Sequence, residues 1–159
     1  MSNKHVTHIQ QFWSLPVTEK WVTIASLVAL PCLHISLRLV GFRRLYRWLH
    51  RWPTNYKSAL GSGTLSPQRT AFLIHTVSRL GPFPTNCLPR SLWLYWWLKR
   101  YHTHVEIWIG VPRQTSDFEA HAWVTHHNIP LAESDQVLQK YLPILASNWS
   151  INLNKAHIN

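Results

Sequence analysis

The segment 85–90, which reads Thr-Asn-Cys-Leu-Pro-Arg, constrains the fold of this chain more than any other. Proline is tolerated in an α-helix only within the first turn, and Asn86 or its neighbour can cap a helix, so a helix over about 87–100 is predicted to begin at Cys87. The helix dipole and the nearby Arg90 favour a thiolate there. Cys87 is predicted to be a nucleophile whose own N–H can donate to an oxyanion, the alternative being an apolar core residue.

A histidine on a predicted strand supplies the candidate base for this thiol. Composition predicts strands over 105–111 and 119–125, and His121 lies on the second strand between two alanines, which leave space around its ring. A thiol in contact with an imidazole is the usual arrangement of a cysteine nucleophile and its general base. A histidine on a strand is more often structural, and this chain has 11 histidines.

A third group is needed to orient the imidazole and to fix its tautomer. Residues 126–128 indicate a turn into a third strand at 129–131, and the chain returning along that strand would bring Glu133 back beside His121. Asp135 is the reserve candidate, since it shares a face with Glu133 if the strand continues. The sequence leaves the choice between the two carboxylates open.

The order of the predicted elements indicates the fold class. A helix over 21–40, capped at Thr18 and ending at Gly41, precedes helices over 42–51, 67–80 and 87–100, and a short helix is predicted over 136–142. Helices followed by an antiparallel sheet make an α+β fold. At 159 residues, 46% of them hydrophobic, the chain fits one domain, with a helical part over 18–100 and a sheet part over 103–135.

The helix predicted over 21–40 is apolar enough to be compared with a membrane span. Pro31, His34 and Arg38 interrupt it, so it lacks a run of about 18 uninterrupted apolar residues. We therefore predict a buried core helix that is kinked at Pro31 rather than a stable membrane span.

Positive charge is concentrated in the first part of the chain. The net charge is +10, and residues 1–100 hold 13 Lys and Arg against one acid, whereas residues 101–159 hold three against five. This asymmetry indicates an acidic partner for the N-terminal half, although a solvated basic face would look the same. Segment 42–51 predicts a basic amphipathic helix, with Leu45, Trp48 and Leu49 on its apolar face. The surrounding basic residues are Arg43, Arg44, Arg47 and Arg51.

The cysteines and histidines indicate the cellular compartment and whether a metal is expected. The two cysteines, Cys32 and Cys87, stand in different contexts, and the N-terminus has no secretory signal, so a cytoplasmic protein with reduced thiols is expected. Histidines cluster at 102/104 and 126/127, but zinc-type cysteine pairs are missing from the sequence. We expect neither a metal nor another cofactor.

The cysteine and histidine motifs, with their flanks, resemble the leader peptidase of lasso-peptide biosynthesis, a transglutaminase-like cysteine peptidase. The resemblance spans about 20–145 and is densest over 87–92, 109–111 and 118–124. It implies a papain-like core with the sheet packed on the cysteine helix. It also implies a Cys-His-Asp triad with Cys87 and His121 in the first two positions and Glu133 in the third. The hairpin carries Asn128 where relatives often have glycine.

The resemblance also implies substrate and partners. The substrate would be the leader region of a lasso precursor peptide, and the chain looks like the stand-alone form that works beside a separate leader-recognition protein and a lasso cyclase. We expect the basic N-terminal half to dock the leader or its recognition protein.

Two other readings use the same residues differently. In one, the chain is a basic, tryptophan-rich module without catalytic activity that binds an acidic partner, nucleic acid or a membrane surface. Its basic residues are spread over several elements and match no nucleic-acid-binding signature, so we expect no nucleic acid partner. In the other, the same triad passes an acyl group to an amine instead of water.

Overall fold

The computed structural model describes residues 15–51, 65–80, 86–102, 104–113, 120–133 and 136–146. Within them, helices come first and an antiparallel sheet follows, so the predicted α+β class is confirmed. The elements in chain order are α1 (Val17–Val40), α2 (Phe42–Arg51), α3 (Pro67–Leu80), α4 (Cys87–Leu98), β1 (Val105–Pro112), β2 (His121–His126), β3 (Ile129–Pro130), α5 (Val137–Lys140) and β4 (Tyr141–Ala146).

The sheet has the order β3-β2-β1-β4, and every pair is antiparallel. The predicted hairpin between β2 and β3 is present, with His127 and Asn128 both in the left-handed region at φ 50° and 65°. Asparagine tolerates this conformation well, which is why it can replace glycine in such a turn. The hairpin turns the chain back along β2 towards His121.

The fourth strand corrects the predicted limit of the sheet at residue 135. The helix predicted over 136–142 ends at Lys140, and the chain then pairs with β1 as β4. Pro143 lacks an N–H and argues against a central strand, but among the described residues β4 has a neighbour on one side only. An edge position tolerates the proline, and the sequence pattern alone did not reveal that position.

Helix α4 lies at the centre of the core. It packs against α1 and α3 on one side and against β1 and β2 on the other. Trp93 Nε1 donates a hydrogen bond to Ser26 Oγ of α1 at 2.9 Å. Ser91 Oγ donates to the Ala122 carbonyl of β2 at 2.9 Å. Because both bonds are buried, α4 holds the sheet and the helices in a fixed relation.

Helix α1 differs from the predicted core helix because only one face is buried. It begins after Pro16 rather than at Thr18, and it continues through Pro31 to Val40. By length and composition α1 could cross a membrane, since an 18-residue stretch of it has a mean hydropathy of 1.7. Within that stretch, 17% is buried inside the protein.

On α2, Leu45 and Leu49 are buried as predicted, but Trp48 is exposed.

Gly110 lies where β1, β2 and β4 meet. A Cβ atom on this residue would lie 2.7 Å from the Leu142 carbonyl oxygen and 2.9 Å from Cη2 of Trp123. The carbonyl belongs to the backbone of β4 and cannot move without disturbing the strand. Gly110 also pairs with His121 across β1 and β2, so close packing here fixes the strand that carries the predicted base.

We therefore expect Gly110→Ala to lower the thermal unfolding midpoint by several degrees, which corresponds to about 1–3 kcal/mol of overpacking strain. Thermal unfolding followed by circular dichroism measures the change. A midpoint equal to that of the wild-type protein would show that β4 does not approach β1 as closely as described.

Candidate active site

Cys87 is the first residue of α4, as the position of Pro89 predicted. It is partly buried, and its Sγ lies 3.9 Å from the carbonyl oxygen of Ala120, the residue before β2. Asn86 occupies the capping position in an extended conformation but makes no side-chain cap bond. The N–H groups of the first helical turn are not used by the α-helical hydrogen-bond pattern, so the Cys87 N–H points away from the helix body.

His121 is the first residue of β2, and its imidazole lies close enough to the Cys87 thiol for each group to shift the pKa of the other. Its ring stacks on Tyr141 at 4.9 Å between centroids and lies 6.2 Å from the ring of Trp123. Aromatic neighbours on the imidazole restrict its rotation, because tilting the ring would cost these contacts. Tyr141 belongs to β4, a strand that the sequence analysis missed.

Glu133 follows β3 in the chain and returns to the site through the hairpin. Its Oε1 lies 3.3 Å from Nε2 of His121. The imidazole has two ring nitrogens, so this contact leaves Nδ1 for the thiol. The structure thus brings the three predicted site residues together. Asp135, the reserve candidate, lies outside the described residues.

Arg90 binds the same carboxylate oxygen of Glu133 that His121 contacts. Its Nη2 donates to Glu133 Oε1 at 2.6 Å, and its Nη1 lies 3.0 Å from Nδ1 of His75 on α3. Arg90 comes one helical turn after Cys87, so both side chains lie on the same side of α4. Arg90 was predicted to add positive charge near the thiol, but its ion pair with Glu133 was not predicted. The three-residue spacing between Cys87 and Arg90 could have indicated that Arg90 faces the active site.

The electrostatics of the three groups favour an ion pair of thiolate and imidazolium. Burial by itself would raise the pKa of Cys87, but hydrogen bonds from His121 and the Ala122 backbone, together with the charges of His121 and Arg90, bring this pKa below its usual value. Hydrogen bonds with Cys87 and Glu133 raise the pKa of His121 to about 9 despite burial. Burial also works against the ionised Glu133, yet its hydrogen bond with His121 lowers its pKa overall.

The same side chains offer little to a metal ion. Among the described residues, no group of three or more histidine, cysteine, aspartate or glutamate side chains is close enough to hold one. The chemistry that this arrangement supports is nucleophilic attack by a thiolate, followed by proton transfer from the imidazolium.

The lowered pKa of Cys87 predicts how the thiol reacts with alkylating reagents. A thiolate persists below the ordinary thiol range, so we expect iodoacetamide to modify Cys87 faster than Cys32 at about pH 6.5. Cys32 is exposed on α1 and serves as an internal comparison. Peptide mapping by mass spectrometry measures both rates across pH. Faster modification of Cys32 near neutral pH would contradict an activated thiolate at Cys87.

The contact with His121 predicts a separate effect for Glu133. Glu133→Gln keeps the size of the side chain but loses the charge that stabilises imidazolium, so turnover should fall about 10–1000-fold. The pKa of His121 should fall as well, which moves the alkaline limit of the kcat profile to lower pH; a purely structural defect would not move this limit.

Asp135→Asn is the matched control for this substitution and should be nearly neutral. Loss of turnover in Asp135→Asn, together with unchanged activity in Glu133→Gln, would assign the third position to Asp135.

Comparison with known proteins places the chain in a family. No curated protein and no solved structure gives a significant match. A family model does match: residues 27–146 fit that of the transglutaminase-like superfamily, whose members include cysteine peptidases and transglutaminases. The match covers most of the chain, including the helix of Cys87 and the strand of His121. The chain therefore belongs to the transglutaminase-like superfamily.

Proposed function

We propose that this protein is a cysteine peptidase that removes the leader from a lasso-peptide precursor. One observation carries the proposal: Glu133 lies 3.3 Å from His121, and His121 is close enough to Cys87 to lower the pKa of the thiol while its own pKa is raised to about 9. A buried structural cysteine would not require these partners. The lasso precursor as substrate rests on the resemblance of the motifs around Cys87 and His121.

The reaction would follow from the protonation states of the site. The Cys87 thiolate attacks the carbonyl carbon of the last leader peptide bond, and the His121 imidazolium gives its proton to the departing amine of the core peptide. The leader is then held as a thioester on Cys87. His121, now neutral, takes a proton from water as it attacks the thioester, which releases the leader carboxylate and restores the thiolate.

The tetrahedral intermediates require donors for the developing negative charge. The N–H of Cys87 lies at the N-terminus of α4, where the helix dipole favours an anion. Arg90 is committed to Glu133 and His75, so its role is to position the carboxylate rather than to contact the substrate. Glu133, held between Arg90 and His121, keeps the imidazole orientation through both steps.

The partners follow from the same resemblance. A separate leader-recognition protein would present the leader, and a lasso cyclase would take the freed core peptide. The basic N-terminal half is expected to dock the leader or its recognition protein, and such binding should weaken as salt is raised. We expect this protein to act in the cytoplasm.

The proposal is tested by incubating the full-length protein with a lasso precursor encoded beside its gene, with and without the leader-recognition protein encoded there. Mass spectrometry should show a free leader and a free core peptide. In water enriched with ¹⁸O, the new leader carboxylate should carry the label. An intact precursor under both conditions would refute the proposal, and a leader that ends in an amide would indicate acyl transfer to an amine instead.

A further inference from the structure

Helix α1 carries a continuous row of exposed apolar side chains, here called the apolar stripe. Its members follow one another at intervals of three or four residues, apart from one interval that is bridged by the exposed Cys32. This spacing places them on one face of the helix. They are Val17, Trp21, Ile24, Val28, Ile35 and Leu39. A row from residue 17 to residue 39 is about 33 Å long at 1.5 Å per residue.

The opposite face of α1 is fixed to the rest of the protein. Glu19 accepts two hydrogen bonds from the Arg69 guanidinium, at 2.9 and 2.8 Å, and Ser26 accepts one from Trp93. Val22, Leu30 and Leu33 are buried on this face. A helix held in this way cannot cross a bilayer without breaking the ion pair and exposing core side chains. The apolar stripe can therefore be covered only by another molecule or by a membrane surface, while α1 stays packed on the rest of the protein.

The charged residues of α1 and α2 indicate which kind of surface the apolar stripe can bind. Among residues 15–51 the one acid is Glu19, which is buried and paired with Arg69. The exposed basic residues of this region are Arg38, Arg43, Arg44, Arg47 and Arg51. A second copy of the chain that docked through both α1 and α2 would bring these arginines close to their counterparts, and like charges at an interface are destabilising. The face therefore suits an anionic surface.

We propose that the apolar stripe and the arginines of α2 dock this protein on the surface of an anionic lipid bilayer, with α1 lying in the plane of the interface. A basic, apolar helical surface of this kind binds at the boundary between head groups and acyl chains. The stripe offers aliphatic side chains along its length and one indole, that of Trp21, which suits the boundary between head groups and hydrocarbon. Trp21 and the exposed Trp48 suit the head-group region.

Vesicle flotation of the full-length protein tests the proposal. The protein should float with vesicles of phosphatidylglycerol and phosphatidylcholine, and much less with phosphatidylcholine alone. Replacing Ile24, Val28 and Ile35 together with serine should lower the partition coefficient by more than about tenfold. Replacing the four arginines of α2 with glutamine should lower it by several hundredfold at low salt, at about 1 kcal/mol for each arginine. Wild-type protein that floats with neither vesicle would overturn the proposal.

Controls locate the binding surface and separate it from the active site. Ile129→Ser removes an apolar side chain on β3 that is as exposed as Ile35, and it should leave flotation unchanged. Alkylation of Cys87 in the stripe variant should match the wild-type protein, which shows that the fold and the proposed chemistry are intact. The lipid assignment is wrong if the triple serine variant of the stripe floats as well as the wild-type protein. It is also wrong if the wild-type protein does not bind vesicles but the variant loses binding to the leader-recognition protein.

Cys32 provides a direct measure of immersion because it lies within the apolar stripe. In a Cys87→Ala protein it is the sole remaining thiol, so an environment-sensitive dye can be attached there. On anionic vesicles the dye emission should shift to shorter wavelength, with stronger quenching by lipids labelled near the head group than by those labelled at the end of the acyl chain. An unchanged spectrum would contradict docking through the stripe, and stronger quenching from the bilayer centre would indicate a span instead.

Discussion

Cys87→Ala should abolish cleavage of the precursor, with turnover reduced by at least about 10⁴-fold, because alanine has no atom that can form the thioester. The substitution removes one sulfur atom from a partly buried side chain at the start of α4, so the fold should persist. The thermal unfolding midpoint should stay within a few degrees of wild type. Precursor cleavage followed by mass spectrometry gives the rate, and circular dichroism gives the midpoint.

The chain offers a matched control for this change. Cys32→Ala removes the other thiol, which lies on the outer face of α1, and it should retain full turnover. With the wild-type protein, rapid acid quenching should trap a leader fragment on the peptide that contains Cys87. Turnover that survives in Cys87→Ala, or that is lost in Cys32→Ala, would remove Cys87 from the role of nucleophile.

The parts of the site that depend on the start of a helix or on a turn could be predicted from the local sequence. Pro89 fixed the start of α4 and so the position of Cys87, because a proline deeper in a helix would break it. The hairpin at His127 and Asn128 followed from residues that tolerate a left-handed backbone. Glu133 was then placed by counting residues back along the chain.

Other parts depend on packing between distant segments, which a sequence pattern does not encode. Arg90 contacts Glu133 and His75, which come from different elements, so its ion pair appears only when α3, α4 and the hairpin are assembled. Strand β4 was not predicted because Pro143 argues against a strand unless the strand lies at the edge of a sheet. The two apolar faces of α1 also look alike in sequence, although one packs on the core and the other is exposed.

His121→Ala should reduce turnover to near background, because it removes both the hydrogen bond that favours the thiolate and the acid that protonates the leaving amine. Without His121, burial would raise the pKa of Cys87, so its alkylation at about pH 6.5 should slow and the pH profile should move upwards. In the wild-type protein, by contrast, alkylation should continue above pH 9 while turnover falls, since the imidazolium, with a pKa of about 9, loses its proton there.

The variant also loses the stacking of His121 on Tyr141, so a second substitution separates chemistry from structure. His121→Asn keeps a flat polar side chain but cannot titrate, and it should show the same loss of turnover with a smaller change in unfolding midpoint. His127→Ala, on the exposed tip of the same hairpin, should leave turnover unchanged. If His121→Asn retained turnover and the alkaline limit near pH 9, the proton would have to come from another group, and the ion pair of thiolate and imidazolium could not be the catalytic state.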